Sequence, residues 1–399
     1  MKSEHAEGMG RRAFLQLGTL SAGALFWAGG ARAVAERGPW IQETDKQLRV
    51  GIVGGRFGAT FHWHEHPNCI VEAVSDLAPD RRQHLMQKYR CEKSYESLSA
   101  LIEDPAVEAV AIFTPAPDHA KHTLQCLEKG KHVFCACPAC LTIEEAEEIK
   151  AAVEATGLKY MNAETSYYRW ETILARELIT GGDLGALVYT EAEYYHPGIG
   201  ASTHSLSLED GERTWRYGYP PMLYPTHSTA FYIGVNRGRL RKVSCIGLRD
   251  DSDPAFPDNV YDNPFRNAMG MFVTQEDTPF RCNVGWHIHA YGERAQWFGE
   301  KGALYMPDCA NRPLAVEVND NRESVLPDYW ERVPEDMRYD SGHGRSHPFL
   351  THEFVMACVE ERAPAIDVYE SLAYCVPGIV AHQSCFQDGA QLDIPSFDP

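Results

Sequence analysis

Positive charge is scarce in this 399-residue chain. It has 37 lysines and arginines against 56 aspartates and glutamates, a formal net charge of −19. That balance argues against nucleic acid and anionic membranes as partners, because both are bound through basic patches. Apolar runs are scarce too: apart from residues 13–31, no stretch is apolar enough to span a bilayer. Internal repeats and low-complexity tracts are absent, which excludes solenoid and fibrous classes. A second CxxC is also missing. Cys135, Cys137 and Cys140 therefore lack the fourth ligand that a structural zinc or iron–sulfur site normally takes. What is present is globular in composition, 44% hydrophobic and 23% charged, and long enough for about two domains.

The amino terminus reads as a targeting segment. Arg11-Arg12 opens an uncharged region that runs to Ala31, and Ala31-Arg32-Ala33 fits a small-residue cleavage site. Residues 1–33 resemble a twin-arginine signal peptide, with a retained membrane anchor as the alternative. That route exports folded proteins, so the expectation is a periplasmic or extracytoplasmic enzyme that takes up its nucleotide first and has no membrane attachment after cleavage. The twelve cysteines then fold reduced and are expected to be mostly buried thiols.

Residues 34–47 are polar and read as a linker. From residue 48 onward, short β-branched runs at 48–54, 69–74, 107–113 and 132–137 alternate with helical spacings at 80–89, 95–102, 118–129 and 143–156. Thr142-Ile143-Glu144-Glu145 is a capping box that starts the last of these helices. The alternation predicts a parallel α/β Rossmann domain over 48–164. After about residue 165 strands dominate, at 187–195, 242–248, 268–274, 280–289, 294–298 and 303–306. Residues 165–399 are therefore expected to form an α+β domain around a largely antiparallel open sheet, with carboxy-terminal helices returning to the first domain.

Gly54-Gly55-Arg56-Phe57-Gly58 follows the first strand and reads as a distorted dinucleotide turn preceding a helix, whose amino end would favour a pyrophosphate. Asp76 ends the second run, where a carboxylate accepts hydrogen bonds from an adenosine ribose and repels a 2′-phosphate. NAD is the expected cofactor, and Arg81 and Arg82 leave NADP open.

With these features in view, the chain resembles the Gfo/Idh/MocA oxidoreductases from Arg49 to near the carboxy terminus. Thr114-Pro115-Ala116-Pro117-Asp118-His119 is similar to the family's TPxxxH loop. Gly130-Lys131-His132-Val133, Asp183-Leu184-Gly185 and the residues from Ser346 to Phe354 also match its motifs. The resemblance implies that Thr114, Pro115, His119 and Pro138 border the cofactor. It also implies a dimer or tetramer assembled through the open face of the second sheet. Where the family carries Glu-Lys-Pro, this chain has Ala136-Cys137-Pro138, so the family's proton-handling lysine is missing. Cys137 is read either as a small buried residue, as part of a redox pair or metal site, or as a working thiol whose thiolate is favoured beside an oxidised nicotinamide. No metal is expected.

Tyr224-Pro225-Thr226-His227 resembles the segment carrying the family's catalytic histidine, without the aspartate four positions earlier; Leu223 stands there and Tyr224 is the nearest polar substitute. The same four residues look like those of the family's NAD-dependent glycosidases. Candidate catalytic residues are His227, Tyr224 and Cys137. Glu164, Tyr168 and His287 are candidate substrate contacts, His287 sharing a strand face with His289. The expected activity is NAD(P)-dependent oxidation of a sugar or polyol hydroxyl. The alternatives are a redox-neutral glycosidase or lyase and a non-catalytic sugar-binding protein.

Overall fold

The computed structural model describes residues 38–198, 207–249, 256, 258–289, 291–308 and 310–399. The targeting segment at 1–33 and the first linker residues, 34–37, lie outside the described residues.

The first sheet holds β1 (Leu48–Val53), β2 (Cys69–Ser75), β3 (Ser94–Tyr95), β4 (Ala109–Ile112), β5 (His132–Cys135) and β6 (Tyr160–Asn162). All pairings are parallel, in the order β3-β2-β1-β4-β5-β6. Helices cover both faces, so the strands read as continuous apolar runs; every residue of β4 is buried. The helix Ile143–Thr156 starts at the expected capping box. Glu145 N–H donates to Thr142 Oγ1 at 3.1 Å, and the Glu145 carboxylate accepts from Thr142 N–H at 3.3 Å. The order in which strands are added to the sheet reverses between β1 and β4, which opens a crevice at the carboxyl ends of the strands.

The α-helix expected after the glycine turn does not form. Two 3-10 turns, Phe57–Thr60 and Trp63–Glu65, stand in its place. The Gly58 carbonyl accepts from the Tyr89 hydroxyl, and His62 is left-handed at φ 50°, so the i to i−4 ladder cannot run through this segment. Phe57, Phe61 and Trp63 pack together there. The glycine loop therefore lacks the helix dipole that the sequence led us to expect behind it.

The second sheet comprises β7 (Leu187–Tyr195), β10 (Leu240–Arg249), β11 (Phe265–Thr274), β12 (Pro279–Gly285), β13 (Gly292–Gly299), β14 (Gly302–Tyr305), β15 (Ala315–Val318), β16 (Asn321–Glu323) and β17 (Leu392–Asp393). Its order is β16-β15-β14-β13-β7-β12-β11-β10-β17, antiparallel except for the β7–β12 pair. This is the expected Rossmann domain followed by a largely antiparallel sheet. A separate hairpin pairs β8 (Leu208–Glu209) with β9 (Glu212–Arg213). The helix Thr226–Asn236 packs on β7, β12 and β13 with nearly every residue buried. The helices Gly342–Val359 and Val368–Cys385 return toward the first sheet. Asn162 N–H donates to the Ile366 carbonyl at 3.0 Å and Ala139 N–H to Cys375 Sγ at 3.3 Å. Both sheets fall in one compact unit, Arg32–Pro399.

Strand β12 stops at Gly285, four residues short of the expected end, so His287 and His289 do not share a strand face. The Asn267 side chain holds the His287 backbone instead, bonding its N–H and its carbonyl. The eleven described cysteines are all free and buried. Among the described residues no helix is long and apolar enough to cross a membrane.

Candidate active site

A cavity of about 270 Å³ opens where the carboxyl ends of the first sheet meet the second. Its walls include Phe57, Thr114 and Cys137 from the first sheet's loops, and Tyr194, Tyr224 and His227 from the second half. Trp215, Tyr219 and Trp286 add apolar surface, with Arg216, His196, Tyr291 and His343 as polar contributors.

His227 is the second residue of the helix Thr226–Asn236, so its position is set by that helix packing under the sheet. Its Nδ1 lies 2.7 Å from Glu164 Oε1 and 4.0 Å from Glu293 Oε1. Glu164 follows β6, and its Oε1 also accepts from Ser166 N–H at 2.8 Å. Glu293 accepts from Ser166 Oγ at 2.6 Å and from Arg169 Nε at 2.9 Å. On the opposite edge of the ring, His227 Nε2 is 3.9 Å from Cys137 Sγ, and the Tyr224 hydroxyl is 4.0 Å from the same sulfur. Tyr194 packs edge-on against the imidazole, with centroids 4.6 Å apart.

Burial alone would lower the basicity of His227, but the Glu164 carboxylate overcomes it and holds the ring's pKa well above its ordinary value. Burial opposes ionisation of Glu164 as well, yet His227 keeps that carboxyl below the usual range. The same balance holds at Glu293, where Arg169 is the main counter-charge. Cys137 moves the other way: burial and then the Glu164 charge push its thiol up. The thiolate that one of the readings of Cys137 required is therefore disfavoured, and the residue is a neutral thiol beside an imidazolium.

Cys137, Glu164 and His227 each place a ligand-type atom within 4.8 Å of the others. Their arrangement is a hydrogen-bonded chain rather than a metal centre. Glu164 engages Nδ1 while Cys137 faces Nε2, and one ion cannot ligate both edges of an imidazole.

The nucleotide residues lie at the mouth of the crevice. Gly54 has φ 107°, and a Cβ there would sit 2.5 Å from the Phe113 carbonyl oxygen, so only glycine allows this close approach of β1 to the loop after β4. A Cβ on Gly55 would meet Arg81 at 2.9 Å, and one on Gly58 would meet the Phe113 ring at 2.7 Å. Asp76 caps the loop: its Oδ2 accepts from Gly55 N–H at 2.7 Å and its Oδ1 from Ala78 N–H at 2.8 Å. A glycine cradle beside a fixed carboxylate at the end of β2 fits a dinucleotide with an unphosphorylated adenosine ribose. Phe57 and Thr114 continue this wall into the cavity, and Pro115 turns the chain into the short 3-10 segment Ala116–Asp118.

Two of the expected contacts, Tyr168 and His287, fall outside the cavity, whereas His119 is in its wall. His119 lines the cavity, with its two ring nitrogens 2.7 Å from the Pro138 carbonyl and 2.8 Å from the Thr114 carbonyl, between the two loops that border the crevice. Tyr168 is wholly buried, stacked on Phe349, and does not line the cavity. His287 is exposed and outside the cavity wall, because its strand ends early. Glu164 reaches the site by orienting His227, not by facing the cavity.

Sequence reasoning missed Arg169, Glu293, Tyr194 and His343. Arg169 and Glu293 meet only through folding, and no local pattern marks them. His343 carried a signal: it sits in Gly342-His343-Gly344-Arg345, whose last three residues are left-handed at φ 56°, 62° and 67°. Consecutive left-handed residues are costly and cluster at functional sites. Burial pulls the His343 imidazole down to about 4, so a neutral ring faces the cavity within 6.1 Å of the His227 ring.

Comparison with known proteins agrees with this fold. Residues 48–164 match the family model for the GFO_IDH_MocA oxidoreductases, described as an NAD-binding Rossmann fold. A glycosyl hydrolase family 109 protein of Shewanella amazonensis is 28% identical over 394 aligned positions, covering 88% of this chain and 86% of its own. An α-N-acetylgalactosaminidase of Shewanella oneidensis is 23% identical, covering 88% of this chain and 85% of its own. Levoglucosan dehydrogenase, solved with NADH and levoglucosan, superposes with a TM-score of 0.74 at 18% identity, covering 88% of this chain and all of that one. An oxidoreductase domain protein from Kribbella flavida gives 0.73 at 18%, with the same coverage of both chains. With its glycine cradle, its carboxylate at the end of β2 and its strand order, the segment 48–164 is the NAD-binding Rossmann domain that the GFO_IDH_MocA model describes, and the chain as a whole shares the fold of these dehydrogenases.

Proposed function

We propose that this protein oxidises a hydroxyl of a sugar or polyol ring at His227, with NAD as hydride acceptor. The observation that carries the reading is the buried Glu164–His227 pair, whose free ring edge faces an aromatic cavity beside the nucleotide crevice. When bound, NAD would supply the ring carbon that accepts hydride from the carbinol. Gly54, Gly55, Asp76, Phe57 and Thr114 are the residues placed to hold it. Glu164 fixes the imidazole so that Nε2 points toward the cavity. Protonated, Nε2 donates to a carbonyl oxygen; deprotonated, it accepts the proton of a substrate hydroxyl. Tyr224 presents a neutral hydroxyl beside the same edge, its phenol pushed up by burial. Trp215, Tyr219 and Trp286 offer ring faces to the apolar side of a sugar.

A second reading is favoured by Tyr224-Pro225-Thr226-His227 and by the names of the curated relatives. In it the hydride would rest on bound NAD only transiently: the acidified C–H next to the new carbonyl gives up its proton, the glycosidic oxygen takes a proton and leaves as an alcohol, water adds across the resulting double bond, and the hydride would return to the carbonyl carbon. The neutral His343 ring, on a different element from His227, is placed to act as the second base.

Export through the twin-arginine route remains part of the proposal. So does assembly into a dimer or tetramer. The outer face of the second sheet exposes Ile246 and Leu248 on β10 beside Met269 and Met271 on β11, an apolar surface that a second copy would cover.

The test combines two assays on nucleotide-loaded protein: a sugar and polyol panel followed by absorbance of the reduced cofactor, and a nitrophenyl glycoside panel followed by phenol release. Net reduction of NAD supports the first reading; glycoside cleavage without net reduction supports the second. Silence in both panels, with tightly bound sugar, leaves only a binding protein and overturns the proposal.

A further inference from the structure

The hairpin β8–β9 belongs to the second half of the chain, yet it reaches the nucleotide loop of the first. Its turn, Asp210-Gly211, has φ 51° and 85°, the two positive values that a two-residue hairpin of matching twist requires. Thr214 N–H closes it onto the Ser207 carbonyl at 2.9 Å. Arg213 anchors it to the second domain, donating to the Asp258 carbonyl at 2.7 Å and lying over the Tyr217 ring at 4.1 Å. The hairpin thereby presents Glu209, whose Oε1 accepts from both Arg56 and Arg81.

Those two arginines flank the cofactor cradle. Arg56 lies in the glycine loop itself. Arg81 packs its Cβ and carbonyl against Gly55, where even a methyl group would collide. The third cation nearby, Arg82, is also committed: it donates to the Asp76 carbonyl at 2.8 Å, with Glu96 at 3.8 Å. Between them stands Asp76, held by two backbone N–H groups with its charge at the ribose end of the crevice.

We propose that Glu209 is a specificity-determining residue for the cofactor: it occupies the two guanidinium groups that a 2′-phosphate would need, and so makes the chain select NAD over NADP. A ribose phosphate brings nearly two negative charges and requires guanidinium partners. Here it would meet Asp76 unshielded and would have to displace a carboxylate already bridging both arginines. The neutral 2′-hydroxyl of NAD meets no such competition. Of the two arginines read from sequence as leaving NADP open, Arg81 is thus withdrawn by a residue from the other half of the molecule, and Arg82 is held within its own half by the Asp76 carbonyl and Glu96.

The experiment is equilibrium binding of NADH and NADPH, read by nucleotide fluorescence, to full-length protein stripped of bound nucleotide. Wild-type protein binds NADPH at least about 100-fold more weakly than NADH. Glu209→Gln raises NADPH affinity at least about tenfold and leaves NADH affinity within about threefold. Adding Arg81→Ala to Glu209→Gln cancels that gain. The substituted side chain is partly exposed on a hairpin, and the melting temperature of each variant reports that the fold is retained. Unchanged NADPH affinity in Glu209→Gln, or a gain that survives Arg81→Ala, overturns the role of Glu209. Failure of wild-type protein to bind either nucleotide overturns the cofactor assignment along with it.

Discussion

Glu164 and His227 are 63 positions apart in the chain and share a 2.7 Å hydrogen bond, with neither side chain more than 4% exposed. A carboxylate buried against an imidazole both charges the ring and aims it. Glu164 comes from the segment after β6 and His227 from a helix of the second half, so the pair exists only once the chain is folded.

Removing that carboxylate is therefore predicted to change the proton chemistry rather than the fold. Glu164→Gln keeps a hydrogen-bonding side chain but removes the charge that raises His227. Turnover falls by about 10²-fold or more. The acid limb of the oxidative pH–rate profile moves to lower pH, because a less basic imidazole loses its proton earlier. A limb that stays in place would show that another group is titrating.

Glu293 gives a stability prediction with a definite sign. Its folded pKa lies below its ordinary 4.5, so its contribution is present above that value and is lost as pH falls toward the folded value. Glu293→Gln leaves Arg169 buried without its main counter-charge and costs about 3 kcal/mol near neutrality. Denaturant unfolding of both proteins from about pH 7 down to about pH 3 should show the gap narrowing below pH 4.5, as Glu293 protonates in the unfolded chain while the folded carboxylate stays charged. A pH-independent gap would mean that the loss is one of packing alone.

Cys137 is expected to be chemically quiet. Its thiol is pushed up by burial and by Glu164, so little thiolate exists near neutrality. Cys137→Ala should retain turnover within about threefold, and iodoacetamide should label residue 137 of native protein far more slowly than of unfolded protein. Rapid native labelling, or loss of turnover comparable with that of a His227 variant, would restore a working role to the sulfur.

Tyr291 is 63% exposed at the cavity mouth, edge-on to His196 at 5.2 Å. An aromatic in that position adds binding area without supporting the core. Tyr291→Ala is predicted to raise KM about tenfold while kcat changes little and stability stays within about 0.5 kcal/mol. A fall in kcat with KM unchanged would place the ring in the chemistry instead.

Elements whose causes are local could be read directly from the residues. Alternating apolar runs and helical spacings marked the Rossmann half, and Thr142 with Glu145 marked a helix start, because capping acts over three residues. Gly54 and Asp76 were legible because a tight turn and a strand-end carboxylate have their own residue requirements. Tertiary structure decided what those positions do. It gave His227 its carboxylate from residue 164, turned His119 into a tie between loops and ended β12 before His287. It also replaced the expected helix after the glycine loop with 3-10 turns around a tyrosine hydrogen bond. Periodicity and capping depend on neighbours a few residues away. The partner of a buried charge is chosen by whichever distant element packs against it, where low dielectric makes an unpaired charge too costly to leave.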